Sequence, residues 1–195
     1  LGEAANLLTL SIKDAEIHAG EFKGITVDQL TLADITTIRS SAFAGANIRK
    51  LTLKSVGSIA SGAFSGSHID EIVVEDDKYK LIDGILYHDG ELVYCFNKSA
   101  SRILVPSFVT KVCAGSIDSL FELRQLSILH ADVMFEHRAI INCSTLNTVE
   151  LVEISNKTLR ELFDAVEKIS FIKYSGNSIK RKFFAHMDNV CEVEL

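Results

Sequence analysis

A spaced set of three apolar residues recurs along this chain and constrains its fold more than any other feature. In each copy, a second apolar residue follows the first by three positions, and a third follows two positions later. The steps between successive copies lie between 20 and 31 residues. The copies begin at Leu7, Val27, Ile48, Ile69, Ala100, Leu123, Leu146, Val166 and Val190. A period in the twenties is typical of a solenoid, because one such repeat cannot bury its apolar face alone.

The centre of each copy predicts a short β-strand with one buried face. Apolar and polar residues alternate in Leu30–Leu32 and again in Leu51–Leu53, which is the period of a half-buried strand. Strands separated by crossovers pair in parallel, and such crossovers are right-handed. We therefore predict a single right-handed solenoid of about nine coils over residues 1–195. One buried row is expected to contain Leu10, Leu30, Leu51, Ile72, Ile103, Leu126, Val149, Ile169 and Val193.

A Phe followed two residues later by Gly recurs between the first strands. Phe22, Phe43 and Phe64 each precede an apolar strand position by eight residues. A bulky aromatic residue at the far wall and a glycine that turns the chain are what a coil needs to close around its core. We interpret these Phe residues as core positions rather than as ligand-stacking residues.

Two stretches depart from the repeat. The step of 31 residues contains two β-rich runs that meet at Asp89-Gly90, which predicts an antiparallel hairpin. We place this insert near residues 76–99 and expect Leu81–Cys95 to project from the body. Apolar residues at helical spacing predict helical segments in the C-terminal coils; these are Leu159, Leu162, Phe163 and Val166, with a second segment at Ile179–Met187. The predicted fold class is therefore α/β, rich in β-structure.

No residue pattern indicates catalysis, a cofactor or a metal site. The cysteines at 95, 113, 143 and 191 have no zinc-ligand spacing. His130, Asp132 and His137 are the nearest approach to a cluster, but their spacing does not place three ligands on one face. The net charge of -6 argues against nucleic acid as a partner. No apolar stretch approaches the ~20 residues that cross a bilayer.

Several segments resemble the BspA-type leucine-rich repeat, whose unit combines an Ala-Phe-x-Gly stretch with a following strand. Ser41–Leu53 and Ser61–Ile72 carry both parts, and Ile103–Ser107 is similar to the strand with its following Pro. Asp83–Tyr87 resembles the hairpin insert often found between these repeats. The resemblance extends over residues 17–128 and fades beyond 151. It implies a surface or secreted protein of host-associated bacteria or protists, with adhesion as a recurrent role and no catalytic residues.

The residues between the buried strand positions define a candidate partner-binding face. Its members are Thr31, Thr52, Glu71, Val73, Arg102, Leu104, Ser127 and Glu150. We expect Val73 and Leu104 to lie side by side as an exposed apolar pair in a polar rim, unless the hairpin folds over them. Ser170 is expected in the same outward row, and an acidic end to it is predicted from Glu150, Glu153, Glu192 and Glu194.

Two functions of different class remain open. The first is a recognition or adhesion module that binds a protein or a glycan at the cell surface. The second is a structural stalk or intracellular scaffold that spaces or recruits other domains. Residue 1 is Leu rather than Met, so we expect the chain to be a piece of a longer protein. A signal peptide or anchor in that protein would favour the first function, and flanking enzymatic or degradation-linked domains the second.

Overall fold

The computed structural model describes residues 7–131, 133–152, 162, 169–175 and 192–194. The elements among them are all β-strands: β1 Leu7–Lys13, β2 Glu16–Ile17, β3 Thr26–Ile38, β4 Asn47–Ile59, β5 His68–Val74, β6 Tyr79–Ile82, β7 Ile85–His88, β8 Glu91–Cys95, β9 Arg102–Val105, β10 Lys111–Val112, β11 Ile117–Asp118, β12 Gln125–Ile128, β13 Met134–Phe135, β14 Ile140–Ile141, β15 Thr148–Leu151, β16 Phe171–Tyr174 and β17 Glu192–Glu194. The architecture is a β-rich parallel solenoid of about seven turns.

The chain divides into two compact units. Unit 1 contains Leu1–Asp89 and Val93–Phe96, and unit 2 contains Gly90–Leu92 and Asn97–Leu195. The boundary thus passes through β8. Each unit is built on its own parallel ladder of strands, so the predicted single buried row becomes two.

The unit 1 ladder follows the predicted register. Strands β1, β3, β4 and β5 lie in that order, and all pair in parallel. Leu30 is opposite Leu51, which is opposite Ile72. Leu30 and Leu51 are buried, at 1% and 0% exposure, while Leu10 and Ile72 on the flanking strands are half-buried. The alternation of apolar and polar residues therefore correctly predicts which side of each strand meets the core.

Strands β3 and β4 are 13 residues long, about twice the predicted length, because they continue around a corner of the coil. Asp34 in β3 and Ser55 in β4 have φ of 51° and 54° at this corner, and Asp14 after β1 has φ of 50°. Short polar side chains tolerate the left-handed region better than bulky or β-branched ones. Pairing resumes beyond the corner, where Ile38 is opposite Ile59.

The repeated Phe residues form a stacked column in the core of unit 1. The Phe22 and Phe43 ring centroids are 5.4 Å apart and those of Phe43 and Phe64 are 5.5 Å apart, with interplanar angles of 11° and 10°. Phe43 and Phe64 are buried, at 0% and 1% exposure. The column continues through Tyr94 and Phe96, whose ring centroids lie 5.8 and 5.4 Å from that of Phe64. The prediction that these Phe residues belong to the core is confirmed.

The insert contains two tight turns where the sequence predicts one. Strands β6 and β7 pair antiparallel around Asp83-Gly84, and β8 follows β7 through the predicted turn at Asp89-Gly90. All four turn residues have positive φ, between 44° and 77°, as in the primed turns that suit hairpins. The expectation that this segment projects from the body is wrong: Leu86 and Tyr94 are 0% and 1% exposed, because the Tyr94 ring packs on the aromatic column.

Unit 2 is built on the ladder β9–β12–β15–β16–β17, all parallel. Ile103, Leu126 and Val149 pair in register and are at most 2% exposed. The next member is Ile172, so the prediction of Ile169 in the row is wrong. Ile169 is itself buried but precedes β16, in which Ile172 and Tyr174 turn toward the core.

Shorter ladders accompany this sheet within unit 2. Glu91 and Leu92 of β8 pair in parallel with β10, and β10 pairs with β13. Strand β11 pairs with β14. These pairings keep the constant 23-residue offset seen between Ile103 and Leu126, so successive coils here have the same length.

Both predicted helical segments fall on residues outside the described part, except for Leu162, which is buried with 0% exposure. The helices are therefore not confirmed. Within the ranges that the structure describes, no helix has the length and apolar character needed to cross a membrane. Cys95, Cys113 and Cys143 are free thiols, and Cys191 lies outside the described residues.

Candidate functional site

The outward row of unit 1 lies in register but is less exposed than the sequence predicts. Thr31 is opposite Thr52, and Thr52 is opposite Val73. Thr52 is only 9% exposed, and Thr31 and Val73 are half-buried. In a strand, residues two positions apart share a face. The side chains that share the face of Thr52 are therefore those of Lys50 and Lys54, which are long enough to shield it.

Ion pairs to the neighbouring strand fix these two lysines. Lys50 Nζ is 2.6 Å from Glu71 Oε1, and Lys54 Nζ is 2.8 Å from Glu75 Oε2. We call this set, with Thr31, Thr52 and Val73, the unit 1 face. The four charged side chains are 39–57% exposed, so charges rather than threonines are what a partner would meet. The opposite charges 21 residues apart are visible in the sequence and are the signal that could have identified them.

The corresponding row in unit 2 joins an exposed apolar residue to a hydrogen-bonded polar group. Leu104, Ser127 and Glu150 are neighbours in register on β9, β12 and β15. Leu104 is 57% exposed. The Ser127 hydroxyl donates to Glu150 Oε2 over 2.8 Å, and Gln125 Nε2 donates to the same oxygen over 3.2 Å. The polar side of this face is therefore held in one arrangement beside the exposed leucine.

Arg102 completes this set, which we call the unit 2 face. It is opposite Gln125 in register and its side chain is exposed. On the far side of Glu150 the ladder carries Lys173, in the position predicted for Ser170. Lys173 Nζ is 3.8 Å from Glu194 Oε1, so the predicted acidic end contains a lysine between Glu150 and Glu194. Glu153 lies outside the described residues.

The predicted apolar pair of Val73 and Leu104 is distributed over two sheets. Val73 is on β5 of unit 1, and Leu104 is on β9 of unit 2. The continuous row that would make them neighbours is therefore wrong, because the strand ladder restarts after the insert. Of the two residues, Leu104 alone is classed as exposed.

A further charged cluster in unit 2 surrounds Cys113. Lys111 Nζ lies 2.6 Å from Glu91 Oε1 and 3.4 Å from Glu136 Oε1. Burial, reinforced by the charge of Glu91, raises the pKa of the Cys113 thiol to about 12. The hydrogen bond from its side chain to Glu91 raises the pKa of Lys111. A thiol with so high a pKa is a poor nucleophile at neutral pH, so this cluster is suited to structure rather than to chemistry.

The predicted cluster of His130, Asp132 and His137 is not assembled in the described residues. His130 Nε2 lies 2.7 Å from the Val109 carbonyl oxygen, and Asp132 is outside the described part. Over residues 7–131, 133–152 and the short described segments beyond, no three His, Cys, Asp or Glu side chains are grouped to hold a metal ion.

Parallel ladders of short strands define a solenoid protein of the leucine-rich-repeat type. The family model for the BspA type leucine rich repeat region matches residues 15–92 in six copies. This stretch, which includes the aromatic column and the unit 1 face, consists of BspA-type leucine-rich repeats.

Solved structures show the same fold at low sequence identity. A leucine-rich repeat protein from Eubacterium ventriosum is 17% identical, with a TM-score of 0.50; the match covers 93% of this chain and 57% of that one. A leucine rich cell surface protein from Faecalibacterium prausnitzii is 16% identical, with a TM-score of 0.48, over 97% and 64% of the two chains. The pneumococcal vaccine antigen PcpA is 12% identical, with a TM-score of 0.35, over 97% and 84%.

This chain spans less than two thirds of the length of the first two of these structures. No curated protein matches the sequence.

Proposed function

We propose that this chain is a non-catalytic recognition module that binds a protein or a glycan at the cell surface. The BspA-type repeats support both parts of this proposal, since the family implies surface or secreted proteins without catalytic residues. Solenoids present extended surfaces built from stacked strands, and two such faces are formed here.

The exposure of Leu104 carries the proposal. A leucine that is 57% exposed in a polar setting is typical of a binding patch. Its neighbour Ser127 and the adjacent Glu150 are locked by hydrogen bonds of 2.8 and 3.2 Å. A partner would therefore meet an already ordered surface and would lose little side-chain entropy on binding.

The charged residues of the unit 1 face suit a second contact. The ion pairs Lys50–Glu71 and Lys54–Glu75 are exposed, and exposed pairs of this kind stabilise a fold by only about 0–1 kcal/mol. They can therefore exchange partners at low cost when a charged ligand approaches. The two faces differ in character, one charged and one mixed apolar and polar.

The test compares Leu104→Ser with Met134→Ser. Met134 is also apolar, is 42% exposed and lies on a different sheet of unit 2, so it controls for the general loss of exposed apolar area. The wild-type chain is screened on a glycan array and on immobilised extracellular-matrix proteins. For any ligand captured, we expect Leu104→Ser to weaken binding by about tenfold or more and Met134→Ser to leave it unchanged. Equal effects of the two variants would contradict the role of the unit 2 face.

The alternative is a stalk or scaffold that only spaces other domains. It is favoured by the shielding of Thr52 and Ser127, which are 9% and 6% exposed, and by the internal pairing of the unit 1 charges. A spacer needs no partner of its own. The absence of any captured ligand on both arrays, with a folded protein, would support this alternative over recognition.

A further inference from the structure

An open cleft lies in unit 2 where the chain enters strands β12, β15 and β16. Its volume is about 630 Å³, and its lining includes Arg124, Ser144, Thr145, Asn147, Ile169 and Ser170. Small-molecule sites typically fall between about 300 and 1,000 Å³. We call this site the entry cleft. It adjoins the strand ladder but contains none of the residues of the unit 2 face.

The backbone of the entry cleft is fixed by the stacking of the coils. The Arg124 carbonyl accepts from the Asn147 and Thr148 amides, at 3.3 and 3.0 Å. The Asn147 carbonyl accepts in the same way from the Ser170 and Phe171 amides, both at 3.0 Å. These backbone groups are already paired, so a ligand would be recognised by side chains. A rigid backbone holds those side chains in position before a ligand arrives.

The uncharged side chains offer both donors and acceptors. The Thr145 hydroxyl lies 2.7 Å from the Leu123 carbonyl and 2.9 Å from the Phe121 carbonyl. Its single proton is directed to these oxygens, so it meets a ligand as an acceptor. Asn147 Oδ1 accepts from the Thr148 hydroxyl over 3.0 Å, which leaves its Nδ2 group to donate. A mixture of donors and acceptors suits a ligand with several hydroxyl groups, since each hydroxyl can do both.

Arg124 adds a positive charge to this polar lining. The ion pairs formed within the described residues do not involve Arg124. A guanidinium group matches a carboxylate with two parallel hydrogen bonds, which are stronger than those between neutral groups. The carboxylate of Glu150 does not compete for it in the structure, because Ser127 and Gln125 hold that group.

An exposed aromatic ring borders the same site. Phe121 is 63% exposed, and its carbonyl oxygen is 2.9 Å from the hydroxyl of Thr145 in the cleft lining. The face of an aromatic ring can cover the C–H groups of a sugar ring and remove apolar area from water. Hydroxyl-matching groups, one cation and an adjacent ring together describe the chemistry of a charged sugar.

We propose that the entry cleft binds a sugar residue that carries a carboxylate, with Arg124 pairing the carboxylate and Asn147 and Thr145 contacting ring hydroxyls. This inference rests on the proposed function, because it names a ligand class for the recognition module. It assigns that ligand to a site other than the two strand faces.

The test uses D-glucuronic acid as the probe, with D-glucose and sodium acetate as the two partial ligands. Binding to the full chain is followed by ¹H–¹⁵N NMR titration. We expect saturable shifts with glucuronic acid, and affinities for glucose and for acetate that are each weaker by about tenfold or more. Acetate that binds as tightly as glucuronic acid would overturn recognition of the sugar. Glucose that binds as tightly would overturn the carboxylate contact.

Arg124→Ala is compared with Arg49→Ala, which removes the same charge from an exposed residue of β4 in unit 1. We expect Arg124→Ala to reduce glucuronic acid binding to the level of glucose, and Arg49→Ala to leave it unchanged. Phe121→Ala is expected to weaken both sugars but not acetate. Arg124→Lys replaces Arg124→Ala if the latter fails to fold, and is expected to keep only part of the affinity, since it lacks the fork geometry.

Saturation that is absent, or unaffected by the Arg124 substitution, would overturn the entry cleft as a site. Leu104-dependent capture on the arrays that survives such a result would leave the proposed function intact. The two proposals can therefore fail separately.

Discussion

The aromatic column predicts a graded loss of stability along its length. Phe43 is fully buried between two stacked rings, at centroid distances of 5.4 and 5.5 Å. Phe22 is half-buried and has one such neighbour, Phe43. Each aromatic pair contributes about 0.5–1.5 kcal/mol beyond the apolar area it buries. Replacement by Leu retains an apolar side chain but removes the pairs. Phe43→Leu should thus lower the free energy of unfolding by about 1–3 kcal/mol, and Phe22→Leu by about half as much.

The assay is urea unfolding followed by far-UV circular dichroism, with the midpoint compared at a common slope. Phe108→Leu serves as the control, because Phe108 is 46% exposed in unit 2 and is absent from the column; we expect it to change the midpoint little. A loss from Phe22→Leu that equals or exceeds the loss from Phe43→Leu would refute the stacking argument. Phe43→Ala should cost more than either, about 3–5 kcal/mol, because it also leaves a cavity.

Three further predictions concern backbone contact, the insert and alkaline pH. Gly57→Ala should destabilise unit 1 by about 1–3 kcal/mol, measured by urea unfolding, because a Cβ atom there would lie 2.4 Å from the Thr36 carbonyl oxygen. Replacement of residues 81–95 by a Gly/Ser link should lower the melting temperature substantially, because it removes Leu86 and Tyr94 from the core; an unchanged melting temperature would contradict this. The pKa of Cys113 is about 12 in the fold, against a model value of 9.0, so the folded state holds this proton more tightly. Stability should therefore be lost as pH rises above about 9 and through 12, and the difference between urea midpoints at pH 7 and pH 10.5 should be smaller in Cys113→Ala than in the wild type.

The sequence was sufficient for the parts of the fold that repeat. Leu30 and Leu51 alternate with polar neighbours, so their burial follows from the period of a strand. Phe43 and Phe64 recur at one spacing in each coil, which places them at one wall and so in contact. Both inferences need only local pattern and regular stacking, which is why the structure confirms them.

The parts that failed depend on contacts that no single repeat contains. The insert was expected to project because its alternation suggests a self-sufficient hairpin, but Tyr94 lies against the end of the aromatic column. The register at β16 changes because the step before it is irregular, so the alternation of Ile172 and Tyr174 decides which residues face inward. Asp34 and Ser55 turn a corner inside a strand, and neither residue has the Gly or Pro that usually marks one.

The candidate faces show the same division between direction and accessibility. The alternation rightly turned Thr52 and Ser127 away from the apolar core. It could not tell that both are nearly covered, because shielding depends on the length and pairing of side chains two positions away. The entry cleft gave no sequence signal, since Arg124 and Asn147 come from successive coils and meet only in the stacked structure.

The register of the parallel ladder is the basis of both strand faces, and zero-length carbodiimide cross-linking with mass spectrometry tests it most directly. Cross-links should join Lys50 to Glu71 and Lys54 to Glu75, whose charged atoms lie 2.6 and 2.8 Å apart. In unit 2, Lys111 should link to Glu91, at 2.6 Å. A shift of one residue would place Lys50 opposite Asp70 and turn every side chain to the other face of the strand. Dominant Lys50–Asp70 cross-links, with Lys50–Glu71 absent, would contradict the register.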